Sequence, residues 1–173
     1  MFEPKIMFNS KLQSNFVYVL KESGLLHCPQ FYRDIRFTVA ILAGIVVLLL
    51  VHEWVPVFSS DLSLHLQLII SVLIWQPLVE ELLFRGIIQG QLSRQGWGQH
   101  ARFSITTANV VTSILFVALH MFNNSPVWSL SVFIPSLIYG YFRDRFNSVY
   151  PSMILHSSYN AMVILGIYLM NEQ

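Results

Sequence analysis

The sequence has one cysteine, Cys28, and very little charge. A lone cysteine excludes an internal disulfide and any cysteine-based zinc site. Charged residues make up 11% of the 173, where a soluble domain carries roughly 25%. The formal net charge is +1. With no basic cluster to hold phosphates, a nucleic-acid partner is excluded. The N-terminus has no apolar run of the kind a cleavable signal requires. Repeats, low-complexity tracts and domain linkers are also missing, and the length suits one domain.

What is present is hydrocarbon. Hydrophobic residues make up 54% of the chain, gathered into runs long enough to cross a bilayer. Lipid leaves no backbone group unpaired, so such runs must be helices. The fold class expected is all-α, a polytopic membrane bundle of about five transmembrane helices plus an N-terminal interfacial helix. Residues 1–36 form the cytoplasmic or interfacial segment and 37–173 the bundle. In the first segment Leu12, Phe16, Val19 and Leu20 share one helical face beside Lys11 and Lys21, and Gly24 offers a stop. The spans then run from Phe37 to Phe58, Leu64 to Leu92, Ser104 to Phe122, Val127 to Phe142 and Ser152 to Met170. Trp54 marks an interface, where His52 and Glu53 lie near the outer headgroups. Pro77 interrupts the second span and frees a carbonyl four residues back. Gly86 and Gly90 would let another helix come close. Pro135 lies within the fourth span, and Pro151 opens the fifth.

Five of the ten Lys and Arg precede the first span. Arg94 and Arg102 lie between the second and third, and Arg143 and Arg145 between the fourth and fifth. Basic loops stay inside, so the N-terminus is cytoplasmic and the C-terminus outside.

The second span carries two adjacent carboxylates and an arginine inside an otherwise apolar run, in Trp75-Gln-Pro-Leu-Val-Glu-Glu-Leu-Leu-Phe-Arg-Gly86. Charge in hydrocarbon costs several kcal/mol unless paired, so it marks a functional site by default. Glu81 and Arg85 stand four apart, in the order that brings a carboxylate to a cation. Glu80 is turned about 100° away and has no local partner. That position suits a general base or a metal ligand. The third span carries Phe116 and His120 four apart, on a stripe with Asn109 and Ser113. The fifth carries His156 and Asn160 four apart on one face. Asn109 and Ser113 read as bonds between helices, and Phe116 as packing. Glu80, His120 and His156 stand 14, 18 and 11 residues from Arg94, Arg102 and Arg145. These become depths of about 21, 27 and 16 Å, so tilted helices can bring the three into one layer.

Glu-Glu-x-x-x-Arg, Phe-x-x-x-His and His-x-x-x-Asn, in this order over residues 66–165, resemble the CAAX-prenyl-protease and bacteriocin-processing (Abi) group of intramembrane proteases. Phe84-Arg85-Gly86 matches as well. The chain is shorter than larger members. Its size is similar to that of small bacterial members that process exported proteins with C-terminal sorting helices.

The resemblance implies an intramembrane endopeptidase of glutamic type, in a bacterial inner membrane. Glu80 is then the base and His120 helps hold the attacking water. His156 and Asn160 serve the oxyanion, and Glu81, Arg85 and Phe116 support. The substrate is a membrane protein with a sorting helix or a lipidated tail. No cofactor is required. Zinc held by the two histidines and a carboxylate is the alternative, although Asn160 is a poor zinc ligand and no His-Glu-x-x-His helix is present. Two rival readings are a non-catalytic scaffold, such as a bacteriocin-immunity or assembly factor, and a proton-coupled transporter. The transporter is disfavoured by five spans without inverted repeats.

The topology is open to test. A reporter active only outside the cytoplasm is expected to score when fused after Gln173 and to stay silent when fused between Arg94 and Arg102. The opposite pattern would contradict the five-span plan.

Overall fold

The structure is a computed structural model that describes residues 17, 20–21, 23–51 and 66–171. Among these residues it is mostly helical, with a single two-stranded hairpin, as an all-α reading requires. Leu12, Phe16 and Val19 of the expected interfacial helix lie outside the described residues. So do His52, Glu53, Trp54 and the connection up to residue 65. The stop at Gly24 is observed. Its φ is +75°, and the Leu25 N–H reaches back to the Leu20 carbonyl at 3.2 Å, a glycine-closed helix end.

The first long helix, α1 (Ile35–Val51), starts on Asp34. That carboxylate accepts from the Arg36 N–H at 2.8 Å and from Arg145 Nε at 2.8 Å. The Arg145 hydrogen bond, with help from the Arg36 N–H, holds the Asp34 carboxyl below its ordinary range.

Helix α2 (Gln67–Leu92) has 26 residues and is the one described helix long and apolar enough to cross a membrane. At 1.5 Å per residue it spans about 39 Å, more than a hydrocarbon core of about 30 Å. It is not a plain α-helix. Ser71–Trp75 and Leu82–Gln89 are π-helical, the wide turns that often accompany functional sites. Pro77 therefore sits beside a π stretch, where the sequence predicts a freed carbonyl.

A hairpin follows, β1 (Ala101–Arg102) paired antiparallel with β2 (Ile105–Thr106). Next come α3 (Thr107–His120), α4 (Pro126–Ser131), α5 (Phe133–Phe146) and α6 (Tyr150–Asn171). Thr106 caps α3 by accepting from the Asn109 N–H at 3.0 Å. Asn147, at φ +47°, closes α5, in a left-handed conformation that asparagine tolerates.

The expected fourth span is a single helix from Val127 to Phe142, but the chain divides it at Val132. Pro135 explains the break. It has no N–H for the Ser131 carbonyl four residues back, and its ring would collide with that carbonyl. It is tolerated because it falls in the first turn of α5. The close approach expected at Gly86 is made by the Ser23 turn instead of a helix.

The packing is inverted relative to a soluble protein. Glu81, Arg85, Gln89, Asn109, Thr112, Ser113 and Ser136 are all fully buried, while Val39, Leu42, Val46, Ile74, Leu115, Val127 and Ile134 are exposed. An apolar exterior of this kind suits contact with hydrocarbon. Inside, an aromatic cluster of Phe31, Phe37, Tyr139 and Phe142, with Leu155, joins the feet of α1, α5 and α6. Asn109 bridges α3 to α5 by donating to the Leu137 carbonyl at 2.9 Å, and it accepts from Ser113. Gly140 lies directly against the Asn109 carboxamide, so any Cβ there would overlap it.

Gly140→Ala is expected to destabilise the detergent-solubilised protein by about 1–3 kcal/mol, the usual cost of overpacking. Adding Asn109→Ala should recover part of the loss. A wild-type melting temperature for Gly140→Ala would rule out this helix contact.

Candidate active site

The site is assembled where α2, α3, α5 and α6 meet. It starts from Glu81, which is completely buried. One carboxylate oxygen lies 3.3 Å from Arg85 Nε, one helical step away. That contact is an ion pair by distance, and the two atoms are not aligned as a hydrogen bond. The other oxygen accepts from His156 Nδ1 at 2.9 Å. A single carboxylate thus binds both a guanidinium and an imidazole. The Glu81–Arg85 pair agrees with the sequence spacing. The third partner comes from a helix 75 residues further along the chain.

Arg85 is held from the other side by α5. Its Nη2 donates to the Ser136 carbonyl at 2.9 Å and to the Ser136 hydroxyl at 2.8 Å. The guanidinium lies 5.3 Å from the Phe116 ring centre and 5.9 Å from that of Tyr139, within cation–π range. Burying a charge this deeply requires such compensation.

His156 is fixed in position and orientation. Its ring stacks on Tyr139 with centroids 5.0 Å apart and an angle of 16°. Because a carboxylate accepts at Nδ1, that nitrogen carries the proton. The opposite nitrogen, Nε2, then faces Glu80 at 3.9 Å. This is too long for a hydrogen bond, so the two groups face each other without bonding directly. Glu80 is the more open of the paired carboxylates, with 26% of its side chain exposed.

Phe116 separates the two histidines. Its ring centre lies 4.4 Å from that of His120 and 6.0 Å from that of His156. Phe84 packs edge-on against it at 5.0 Å. His120 Nδ1 lies 2.9 Å from the Phe116 carbonyl. A carbonyl can only accept, so Nδ1 is protonated here too and Nε2 is the nitrogen left for chemistry.

Asn160 has a task that its spacing does not reveal. Its Nδ2 donates to the Val72 carbonyl at 2.9 Å. In the π turn the Gln76 N–H bonds to Ser71, so it is diverted from Val72. The next donor along would be Pro77, which has no N–H. The Val72 carbonyl is thus left without a helical donor, and Asn160 satisfies it. The second N–H of the amide is left for other use.

Glu80, Glu81, Arg85 and His156 are thus in contact, Phe116 links His156 to His120, and Asn160 reaches α2 at Val72. Ser136 and Tyr139 were not anticipated, because they sit in an apolar run with no charge nearby. The one available signal was small-residue spacing, Ser136 and Gly140 standing four apart. For the zinc alternative, no three His, Cys, Asp or Glu side chains among the described residues converge as a metal set.

The family model for type II CAAX prenyl endopeptidase Rce1-like proteins matches residues 62–162, which include every residue of this site. No curated protein and no solved structure matches the chain.

The shared carboxylate makes a prediction about stability. Arg85→Met strands Glu81 and should cost about 3–5 kcal/mol, the usual penalty for half of a buried pair. Arg85→Met with Glu81→Gln removes both charges and should recover most of it. Equal losses in the single and double variants, read as melting temperatures in detergent, would contradict the pairing.

Proposed function

This chain belongs to the type II CAAX prenyl endopeptidase Rce1-like family, and from that premise we propose that it is an intramembrane endopeptidase of glutamic type. Family membership makes it a membrane protease whose substrate is a membrane-associated protein. Finer detail rests on the pocket. The observation that carries it is the 3.9 Å approach of His156 Nε2 to Glu80, with His156 held from behind by Glu81 at 2.9 Å.

Glu80 takes a proton from water as the water oxygen attacks the scissile carbonyl carbon. The carbonyl π electrons move to oxygen and form an oxyanion. His120, with Nε2 free, steadies the same water. The oxyanion is met by His156 and by the second N–H of Asn160. His156 can donate from Nε2 only as an imidazolium, because its other nitrogen already donates to Glu81. Glu81 is the counter-charge for that form, and Arg85 keeps the cluster compensated. When the tetrahedral intermediate collapses, the C–N bond breaks and the proton on Glu80 passes to the departing nitrogen. One water is consumed, giving a carboxyl and an amine.

The five-span plan, the cytoplasmic N-terminus and the bacterial inner membrane belong to the same proposal. So does a substrate cleaved in or beside a transmembrane sorting helix or a lipidated tail. The depth of Glu80 along α2, about 21 Å from Arg94, favours a bond within or at the edge of the bilayer.

Glu80→Gln is expected to lower cleavage of a co-expressed membrane substrate by about 10²–10⁴-fold, the range for loss of a positioned acid–base group, while the protein still accumulates in the membrane. His120→Ala should behave alike, and exhaustive chelation should leave wild-type cleavage unchanged. Processing that survives both substitutions would end the protease reading. Activity lost to chelation and restored by zinc would replace the metal-free mechanism.

A further inference from the structure

His156 can donate from Nε2 only as an imidazolium, and the carboxylate behind it is already engaged. Glu81 accepts from His156 Nδ1 at 2.9 Å and lies 3.3 Å from Arg85. Its charge is thus divided between two cations. Glu80, 3.9 Å from Nε2, is neutralised in the reaction when it takes up a proton. His120, on α3, stands beyond Phe116 and brings no negative charge. A buried cation is costly unless its surroundings compensate it.

Tyr139 adds an uncharged source of negative potential. Its ring lies nearly parallel to the imidazole, 16° off, with centroids 5.0 Å apart. The Arg85 guanidinium carbon lies 5.9 Å from the same ring centre. The face of an aromatic ring is negative, and both cations of the site are within cation–π range of this one ring. Phe116 meets His156 at 72° and does not lie flat on it. The fold holds Tyr139 firmly. It is 3% exposed. Its carbonyl accepts from the Ser152 hydroxyl at 2.7 Å, one turn before His156 on α6. Ser136, three residues earlier on α5, binds Arg85. Gly140, the next residue, lies against Asn109.

We propose that Tyr139 is a positioning residue of the hydrolysis, its π face stabilising His156 as the imidazolium that meets the oxyanion. The part in hydrolysis rests on the protease reading above; the hold on the imidazolium does not. Tyr139 acts through His156 and exchanges no proton or bond. The effect comes from the ring face, which phenylalanine shares and leucine lacks.

Two measurements test this. The first is solid-state nitrogen NMR of the histidine-labelled full-length protein in nanodiscs at pH 6. Tyr139→Phe should keep the wild-type ratio of His156 imidazolium to neutral imidazole. Tyr139→Leu should lower that ratio about ten- to thirtyfold, the worth of a desolvated cation–π contact. The same ratio in all three proteins, or no imidazolium in any, would overturn the proposal. The second is kinetics on a fluorogenic peptide with a prenylated CAAX tail. Tyr139→Leu should lower kcat about tenfold or more with KM unchanged, and Tyr139→Phe should retain it. Phe142→Leu removes a similarly buried ring of the aromatic cluster, and should lose heat stability while keeping kcat. A fall in kcat as large in Phe142→Leu or in Tyr139→Phe would mean that the ring serves packing alone, and would also overturn it. Processing that survives Glu80→Gln would end the protease reading, while the NMR contrast would still uphold the hold of Tyr139 on the imidazolium.

Discussion

One buried carboxylate organises this protein. Glu81 offers one oxygen to Arg85 at 3.3 Å and the other to His156 at 2.9 Å. Through Arg85 it is tied to Ser136 on α5, and through His156 to α6. Three helices are thereby fixed around one group. The arrangement is not an efficient source of stability, because desolvating charges offsets most of their attraction. Its effect is orientation. With Nδ1 committed to Glu81 and the ring stacked on Tyr139, His156 can present only Nε2, and it presents it to Glu80.

The irregularity of α2 serves the same end. Pro77 and two π stretches would leave carbonyls unpaired in a place without solvent. Neighbouring helices satisfy them with side chains. Asn160 takes the Val72 carbonyl, and Arg143 Nε takes the Arg85 carbonyl at 3.1 Å. Gln89 returns the pattern by donating to Gly140. Broken backbone at membrane depth is tolerated only where protein covers it, so the features that distort α2 also dictate which helices must pack on it. Gly140 lets α5 come close to Asn109 on α3, and Gly44 lets α1 come close to Tyr159 on α6.

Much of this was legible in the sequence, because ionisable residues in an apolar run have few reasons to be there. Glu80, Glu81 and Arg85 could be singled out from their place in an apolar run, His120, His156 and Asn160 from spacing together with the family resemblance, and the bond between helices at Asn109 from its polar stripe. The partners were harder to read. Helical spacing assigns Glu81 to Arg85, but it does not say that a carboxylate has a second oxygen to give to His156. Asn160 could be placed on the face of His156, yet its hold on Val72 depends on a π register that no periodicity announces. Ser136 and Tyr139 were hidden because neither carries charge. The break before α5 was foreseeable from Pro135, whose missing N–H falls one turn after Ser131. An apolar run that looked continuous outweighed that signal.

Glu81 sets the working face of His156. Solid-state nitrogen NMR of histidine-labelled protein in lipid tests it directly. His156 Nδ1 should carry a proton, with a shift displaced by a strong, charge-assisted hydrogen bond that weakens in Glu81→Gln. An unprotonated Nδ1, or a His156 spectrum that Glu81→Gln leaves untouched, would contradict it.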